Sequence, residues 1–178
     1  NKKEKEFLSG LLANLAVEEE NVNPIVDGGG QQAFLSGLKS SNTKTVTSSS
    51  RALGRIADTS KDNLEWLIKE GATTDLVDML SEHEDNAEVV ECALSVLTKF
   101  ATSGEYVSHI EQIGGVGEVI EILSQNSKDE SIVDNSLAFV EHLATVDYDM
   151  ERLVNAGTLN SILDAMDTHK DSEAIQLN

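Results

Sequence analysis

One fourteen-residue pattern occurs four times in this chain without a gap: "IVDGGGQQAFLSGL" from residue 25, "LIKEGATTDLVDML" from 67, "IEQIGGVGEVIEIL" from 110 and "LVNAGTLNSILDAM" from 153. The matching glycines are Gly29, Gly71, Gly114 and Gly157, which stand 42, 43 and 43 residues apart. A fixed period constrains the fold more than any other feature of the chain. Each copy is a unit too small to bury its own apolar side, so only stacking against its neighbours can remove that side from water. A period of roughly 40 to 47 residues belongs to solenoids of two- or three-helix repeats.

The glycine cluster "IGGVG" at 113–117 invites a different reading, a phosphate-cradling loop that opens a helix. Such a loop occurs once, after a strand, and places a pyrophosphate on a helix N-terminus. Here the glycine recurs in every copy and no strand pattern precedes it. The expectation is that Gly114, like Gly71 and Gly157, ends one helix in a backbone conformation that disfavours other residues, so that the next helix leaves at a sharp angle.

A second motif keeps phase with the first. "GLLANLA" ends at Ala16, "RALGRIA" at Ala57, "SVLTKFA" at Ala101 and "AFVEHLA" at Ala144, 41, 44 and 43 residues apart. Leu12, Leu53, Leu97 and Val140 correspond, as do Leu15, Ile56, Phe100 and Leu143, at helix-face intervals. After the glycines, Val116, Val119, Ile120 and Leu123 in one copy and Leu159, Ile162, Leu163 and Met166 in another predict a buried helix face each. The unit is therefore a long helix, a connection, a short helix ending at glycine, and a further helix.

A helix ending like ALxNLA, an Asn near the following loop, and IVxxGG leading into LVxLL together resemble the armadillo repeat. The resemblance covers essentially the whole chain. It implies an all-α, right-handed superhelix with three whole repeats, 20–60, 61–104 and 105–147, between partial ones at 1–19 and 148–178. It also implies a piece of a longer solenoid, since neither terminal helix looks like a polar cap: Phe7, Leu8, Leu11, Leu12 and Leu15 share one side of the first, and another last helix begins near Ile175. Some features depart from the family pattern. The proline that follows the glycine pair is replaced by Gln32, Thr74, Gly117 and Asn160, and the loop Asn, kept as Asn21 and Asn63, becomes Tyr106 and Asp149.

Composition narrows the partners. Thirteen basic against thirty-two acidic residues leave a formal charge of -19, which repels nucleic acid and anionic lipid. The few aromatics, Trp66, Tyr106 and Tyr148 among them, do not alternate with cations as a base-stacking platform requires. A single cysteine, Cys92, and the absence of any Asn-x-Ser/Thr site point to an intracellular, reducing compartment, cytoplasmic and open to the cytoskeleton or cilium. No hydrophobic signal core or long apolar span is present.

Little suggests catalysis or metal chemistry, and no cofactor is expected. His83, His109, His142 and His169 fall in different repeats and phases, without the close pairing of a zinc site. "SEHEDNAE" at 81–88 lacks the ligand spacing and mid-loop Gly of an EF-hand and reads as a solvated acidic loop, as does "EEEN" at 18–21. Cys92 lies on a helix with Val89, Val90, Ala93 and Leu97, where core or groove-edge packing outweighs nucleophilic use. "SSNTKTVTSSS" at 40–50 offers a phosphorylation target or, more simply, a flexible connection followed by a helix N-cap.

In armadillo solenoids the last helix of each repeat lines a concave groove, and the Asn of ALxNLA holds an extended peptide's backbone. By residue-wise match that position is Asn14, Arg55, Lys99 and His142. One turn earlier, where importin-like grooves carry Trp, stand Gly10, Arg51, Ser95 and Ala138, so the aromatic slots for a nuclear-localisation peptide are missing. Arg51 and Arg55 share a helix face with Lys99 one repeat on. Two readings follow: a positive strip that takes an acidic or phosphorylated segment, or cations paired with Glu and Asp of adjacent repeats. The expected function is a non-catalytic protein-interaction scaffold with Asn14, Arg51, Arg55, Lys99 and His142 at its groove. The alternative is a permanent structural subunit of a large cytoskeletal or ciliary assembly.

Overall fold

The computed structural model describes residues 2–146 except 17 and 103, residue 151, and residues 157–172. Among these residues the chain is helical throughout, with no strand. The helices are α1 (Lys2–Leu15), α2 (Glu19–Asp27), α3 (Gln31–Leu38), α4 (Thr43–Thr59), α5 (Lys61–Lys69), α6 (Ala72–Glu82), α7 (Ala87–Phe100), α8 (Gly104–Gln112), α9 (Gly115–Gln125), α10 (Glu130–Thr145) and α11 (Thr158–Thr168). From α2 to α10 a 9-residue helix, a medium helix of 8–11 residues and a long helix of 14–17 residues follow one another three times. Asp149 and Ile175 lie outside the described residues.

The long helices pack side by side, α4 between α1 and α7, and α7 between α4 and α10. The medium helices form a second row behind them, α3 against α6 and α6 against α9, each also touching its own long helix. A continuous core fills the space between the rows. Phe34, Leu53, Leu76, Leu97, Phe100, Ile122 and Phe139 are all essentially inaccessible. Each such side chain contributes roughly 1.5–3 kcal/mol of hydrophobic stabilisation relative to exposure.

Asparagine, serine and aspartate start the helices. Asn42, Ser60, Asn86 and Asp129 accept backbone N–H groups of the first turns of α4, α5, α7 and α10, at 3.1–3.3 Å, satisfying donors that have no intrahelical partner. The retained loop asparagines close turns, Asn21 Nδ2 donating to the Leu15 carbonyl at 2.9 Å and Asn63 Nδ2 to Thr59 Oγ1 at 2.7 Å. Where Tyr106 replaces that Asn, the turn instead uses the Thr102 N–H on the Phe100 carbonyl at 2.8 Å.

Two of the three glycines of "IGGVG" have separate causes. Gly114 has φ +86° and nothing within 4 Å of a Cβ built on it, so conformation alone demands glycine there. Its N–H caps α8 on the Glu111 carbonyl at 2.8 Å while its own carbonyl accepts the Glu118 N–H of α9 at 3.0 Å. Gly115 is a question of space: a Cβ would meet Ile110 Cγ2 at 2.8 Å and Val77 Cγ2 of the preceding repeat at 2.9 Å. Gly29, Gly71 and Gly157 share the positive φ, so the element is a helix-to-helix corner and the phosphate-loop reading falls away.

Three expectations are corrected. The Ser/Thr run is no flexible connection past Asn42: it forms the first half of α4, with Ser49 and Ser50 fully buried and Ser50 Oγ donating to the Cys92 carbonyl at 3.1 Å. A kinase therefore has no access to those hydroxyls. The apolar face expected on α11 is only partly covered, since Leu159 is 51% and Leu163 62% exposed; among the described residues no helix packs on that side. The histidines are not all out of phase either, because His83 and His169 both fall in register with Asn126.

Candidate functional site

A long helix flanked by two others and backed by a medium helix has one open face. The exposed residues of α4 and α7 therefore look out on a common surface, which α10, flanked by α7 alone among the described residues, continues at the positions in register with them; in the armadillo arrangement this is the concave groove. Arg51, Arg55, Ser95 and Ala138 are exposed and Lys99 and His142 half-buried along this surface, while Asn14 is exposed on α1. The structure thus places all five expected groove residues on the long-helix row. No aromatic side chain stands at Gly10, Arg51, Ser95 or Ala138.

Between α4 and α7 the groove deepens into an open cavity of about 230 Å³, walled by Arg51, Arg55 and Asp58 on one side and Glu91, Ser95 and Lys99 on the other. Its floor can approach the core because Gly54 has no side chain: a Cβ there would lie 3.0 Å from Val96 Cγ2. Arg55 and Asp58 also wall a second cavity of about 340 Å³ toward Val22. Two hollows therefore follow one another along the row, separated by an Arg–Asp partition.

The cations are interleaved with carboxylates. Arg51 Nη2 lies 3.4 Å from Glu88 Oε1 on the next long helix, and Lys99 Nζ pairs with Asp58 on the preceding one. Arg55 Nη1 donates to the Ala16 carbonyl at 3.0 Å, and His142 Nε2 to the Ala101 carbonyl, also at 3.0 Å. The positions that match the family's Asn ladder thus reach back to the C-terminal end of the preceding long helix, where carbonyls lack intrahelical donors and favour positive charge. Of the two sequence readings of the cations, pairing with carboxylates of adjacent repeats holds for Arg51 and Lys99.

Cys92 lies at the cavity floor, 3% exposed. Burial pushes its thiol above the ordinary value, with Arg51 opposing less strongly. It is a packing residue at the groove edge, poorly suited to act as a thiolate.

Sequence reasoning missed a second ladder on the opposite edge of the long helices. Asn126 Nδ2 donates to the Glu84 carbonyl at 3.1 Å, and His169 Nε2 to the Ser127 carbonyl at 2.8 Å. Both bonds span 42 residues, one period, so the register of 83, 126 and 169 was the available signal. It anticipated carboxylate partners from adjacent repeats without naming Glu88 and Asp58, which stand 37 and 41 residues from Arg51 and Lys99. Among the described residues no cluster of three or more His, Cys, Asp or Glu is arranged to hold a metal ion, and no helix is long and apolar enough to cross a membrane.

The sequence profile of the GAC ARM domain family matches residues 8–177. The fold is similar to that of a designed armadillo repeat protein, with a TM-score of 0.78 at 19% identity over 99% of this chain and 73% of that one. An engineered protein from a structural genomics programme gives a TM-score of 0.80 at 21% identity, covering 99% of this chain and 72% of that one. A designed armadillo repeat protein in complex with the peptide (KR)4 gives 0.75 at 18% identity, over 93% and 68%. No curated protein matches.

Proposed function

The chain belongs to the GAC ARM domain family, and from that premise we propose that it is a non-catalytic scaffold that holds an extended segment of a partner protein along its concave groove. The observation that carries this reading is the row of exposed charged side chains on α4 and α7 over two successive cavities, in a face left open by the packing of every other side. A protein of the same fold is solved with a peptide bound, which supports the same use here. Asn14, Arg51, Arg55, Lys99 and His142 are the contacts, with Arg51 and Lys99 exchanging their present carboxylate partners for those of the ligand. Exposed ion pairs are worth only about 0.2–1 kcal/mol, so the exchange costs little. An intracellular, cytoplasmic setting fits a chain with one buried cysteine.

A second reading, a permanent subunit of a large cytoskeletal or ciliary assembly, draws on a different observation. Phe7 is 71%, Leu8 52% and Leu11 47% exposed on α1, an apolar surface of the kind that marks association. Affinity purification of the protein, intact and with Arg51, Arg55 and Lys99 all changed to Glu, separates the two. The groove reading requires one partner to disappear while helicity and melting are retained. An unchanged partner set, with the protein co-fractionating wholly in a large complex, would sink it in favour of the second.

A further inference from the structure

We propose that the cavity between α4 and α7 receives a phosphorylated side chain of the partner segment, its phosphate lying among Arg51, Arg55 and Lys99. This rests on the groove reading above and specifies the chemistry of its ligand. Those three cations and two acids, Asp58 and Glu91, wall the cavity, an excess of positive charge in a chain whose formal charge is -19. Three other cavities carry no such excess. The one toward Val22 sets Arg55 against Asp58, the one beside Tyr106 sets Lys69 against Glu105, and the one beside His169 sets Lys170 against Glu130, Asp167 and Asp171. The cluster also occurs once along the row, because Ser95 and Ala138, in register with Arg51, are uncharged.

The backbone gathers the three cations around one space. Arg51 and Arg55 stand one turn apart on the same face of α4. Gly54 between them leaves room for the Lys99 stem: a Cβ at Gly54 would lie 3.6 Å from Lys99 Cδ and 3.7 Å from its Cε. Lys99 thereby reaches from α7 to α4, where it meets Asp58. Arg55 is held by its 3.0 Å bond to the Ala16 carbonyl. The resident pairs decide which anion gains. Arg51 answers Glu88 and Lys99 answers Asp58, so a carboxylate from a partner exchanges one singly charged acceptor for another and gains little. A phosphate monoester brings about -1.5 to -2 charge near neutral pH and three acceptor oxygens. It can satisfy more than one cation at once, and a guanidinium matches its oxygens with two parallel bonds. Glu88 and Asp58, both exposed, are then released to water. Glu91 on the α7 wall repels any anion, which moderates the gain and counts most against a carboxylate that adds no new bonds.

The test uses three pools of short peptides, alike in their randomised uncharged positions, around a central phosphoserine, glutamate or serine, with inorganic phosphate as a fourth probe. Backbone amide NMR shifts give affinity and locate the contact. The phosphoserine pool should bind about tenfold tighter than the glutamate pool, the gain of one or two charge-assisted hydrogen bonds, with shifts centred on α4 and α7. The glutamate and serine pools should differ by less than about threefold. Because the second phosphate ionisation lies near pH about 6, the advantage of phosphoserine over glutamate should shrink between about pH 7.5 and 5.5. Arg51→Gln/Lys99→Gln should bring the phosphoserine pool down to the serine pool. Lys44→Gln, which removes an exposed cation of α4 outside the cavity, should not, and melting curves check that both variants fold. If the glutamate pool binds the groove as tightly as the phosphoserine pool, or Lys44→Gln weakens binding as much as the double variant, the phosphate site is wrong while the groove reading stands. Inorganic phosphate binding as tightly as the phosphoserine pool would likewise remove the segment from the proposal. No binding by any pool would overturn the site, and shifts confined to α2, α5 and α8 would overturn both the site and the groove reading.

Discussion

Identical register positions behave oppositely in the middle of the solenoid and on its two outer helices. Leu35, Val77 and Ile120, one period apart, are 6–7% exposed, whereas Leu163, the next in the series, is 62% exposed. Ile56, Phe100 and Leu143 are buried, yet their counterpart Leu15 is 48% exposed. The residue types hardly differ, so burial in this fold is conferred by the neighbouring repeat. Stability then becomes a sum of repeat and nearest-neighbour terms, and the same side chain is a core residue or an association surface according to what stacks on it.

That contrast is broken most forcefully by matched truncations. Ile120→Ala should cost about 2–5 kcal/mol in urea unfolding, against a change within about 0.5 kcal/mol for Leu163→Ala. Similar losses at both would mean that α11 is covered in solution. The paired glycines give the next effect. Gly114→Ala should cost about 1–2 kcal/mol through its left-handed backbone and add simply to Val77→Ala. Gly115→Ala should couple to Val77→Ala by about 0.5–3 kcal/mol in a double-mutant cycle, because those two share one space.

Smaller effects sharpen the comparison along the ladder position. His142→Ala removes a hydrogen bond to the preceding repeat and should cost about 0.5–1.5 kcal/mol. Asn14→Ala, on the outer helix, should change stability by less than about 0.5 kcal/mol. The smallest effect is a pH dependence at Asp75, whose carboxyl is held above the ordinary value by burial, opposed by an ion pair to Lys39 at 3.0 Å. A raised acid pKa means that the folded state binds the proton more tightly than the unfolded one. Its contribution is complete below the unfolded value near 3.8 and lost as pH rises through the folded one. Melting curves should show the advantage of Asp75→Asn over the parent growing from pH 3 to pH 7.

How much of this was legible in the sequence follows from what each feature depends on. Gly114 and the apolar run Val116, Val119, Ile120 and Leu123 are local signals repeated at a fixed period, and repetition made them readable. Leu159 and Leu163 carry the same pattern, but their burial needs a neighbour that the pattern itself does not name. The Ser/Thr run of α4 was misread because small hydroxyl residues favour loops in general, whereas here Ser49 and Ser50 let long helices approach closely and Ser50 bonds across to Cys92. For the groove, residue-wise matching assigned Asn14, Arg51, Arg55, Lys99 and His142 to the last helices of the repeats, and they lie on α1, α4, α7 and α10. It could not show that Arg55 and His142 reach back to carbonyls, or that Glu88 and Asp58 answer the cations. Those contacts depend on the angle between successive repeats.

The most direct test of the scaffold reading is photo-crosslinking in cells, with a photoreactive residue placed at Ser95 inside the α4–α7 cavity or at Ser108, beside a cavity on the outer row lined by Tyr106 and His109. The account predicts a discrete covalent adduct with one partner protein from Ser95 and none from Ser108. An adduct with that partner from Ser108 alone would show that the outer face does the binding, and the groove would lose its claim to be the functional site.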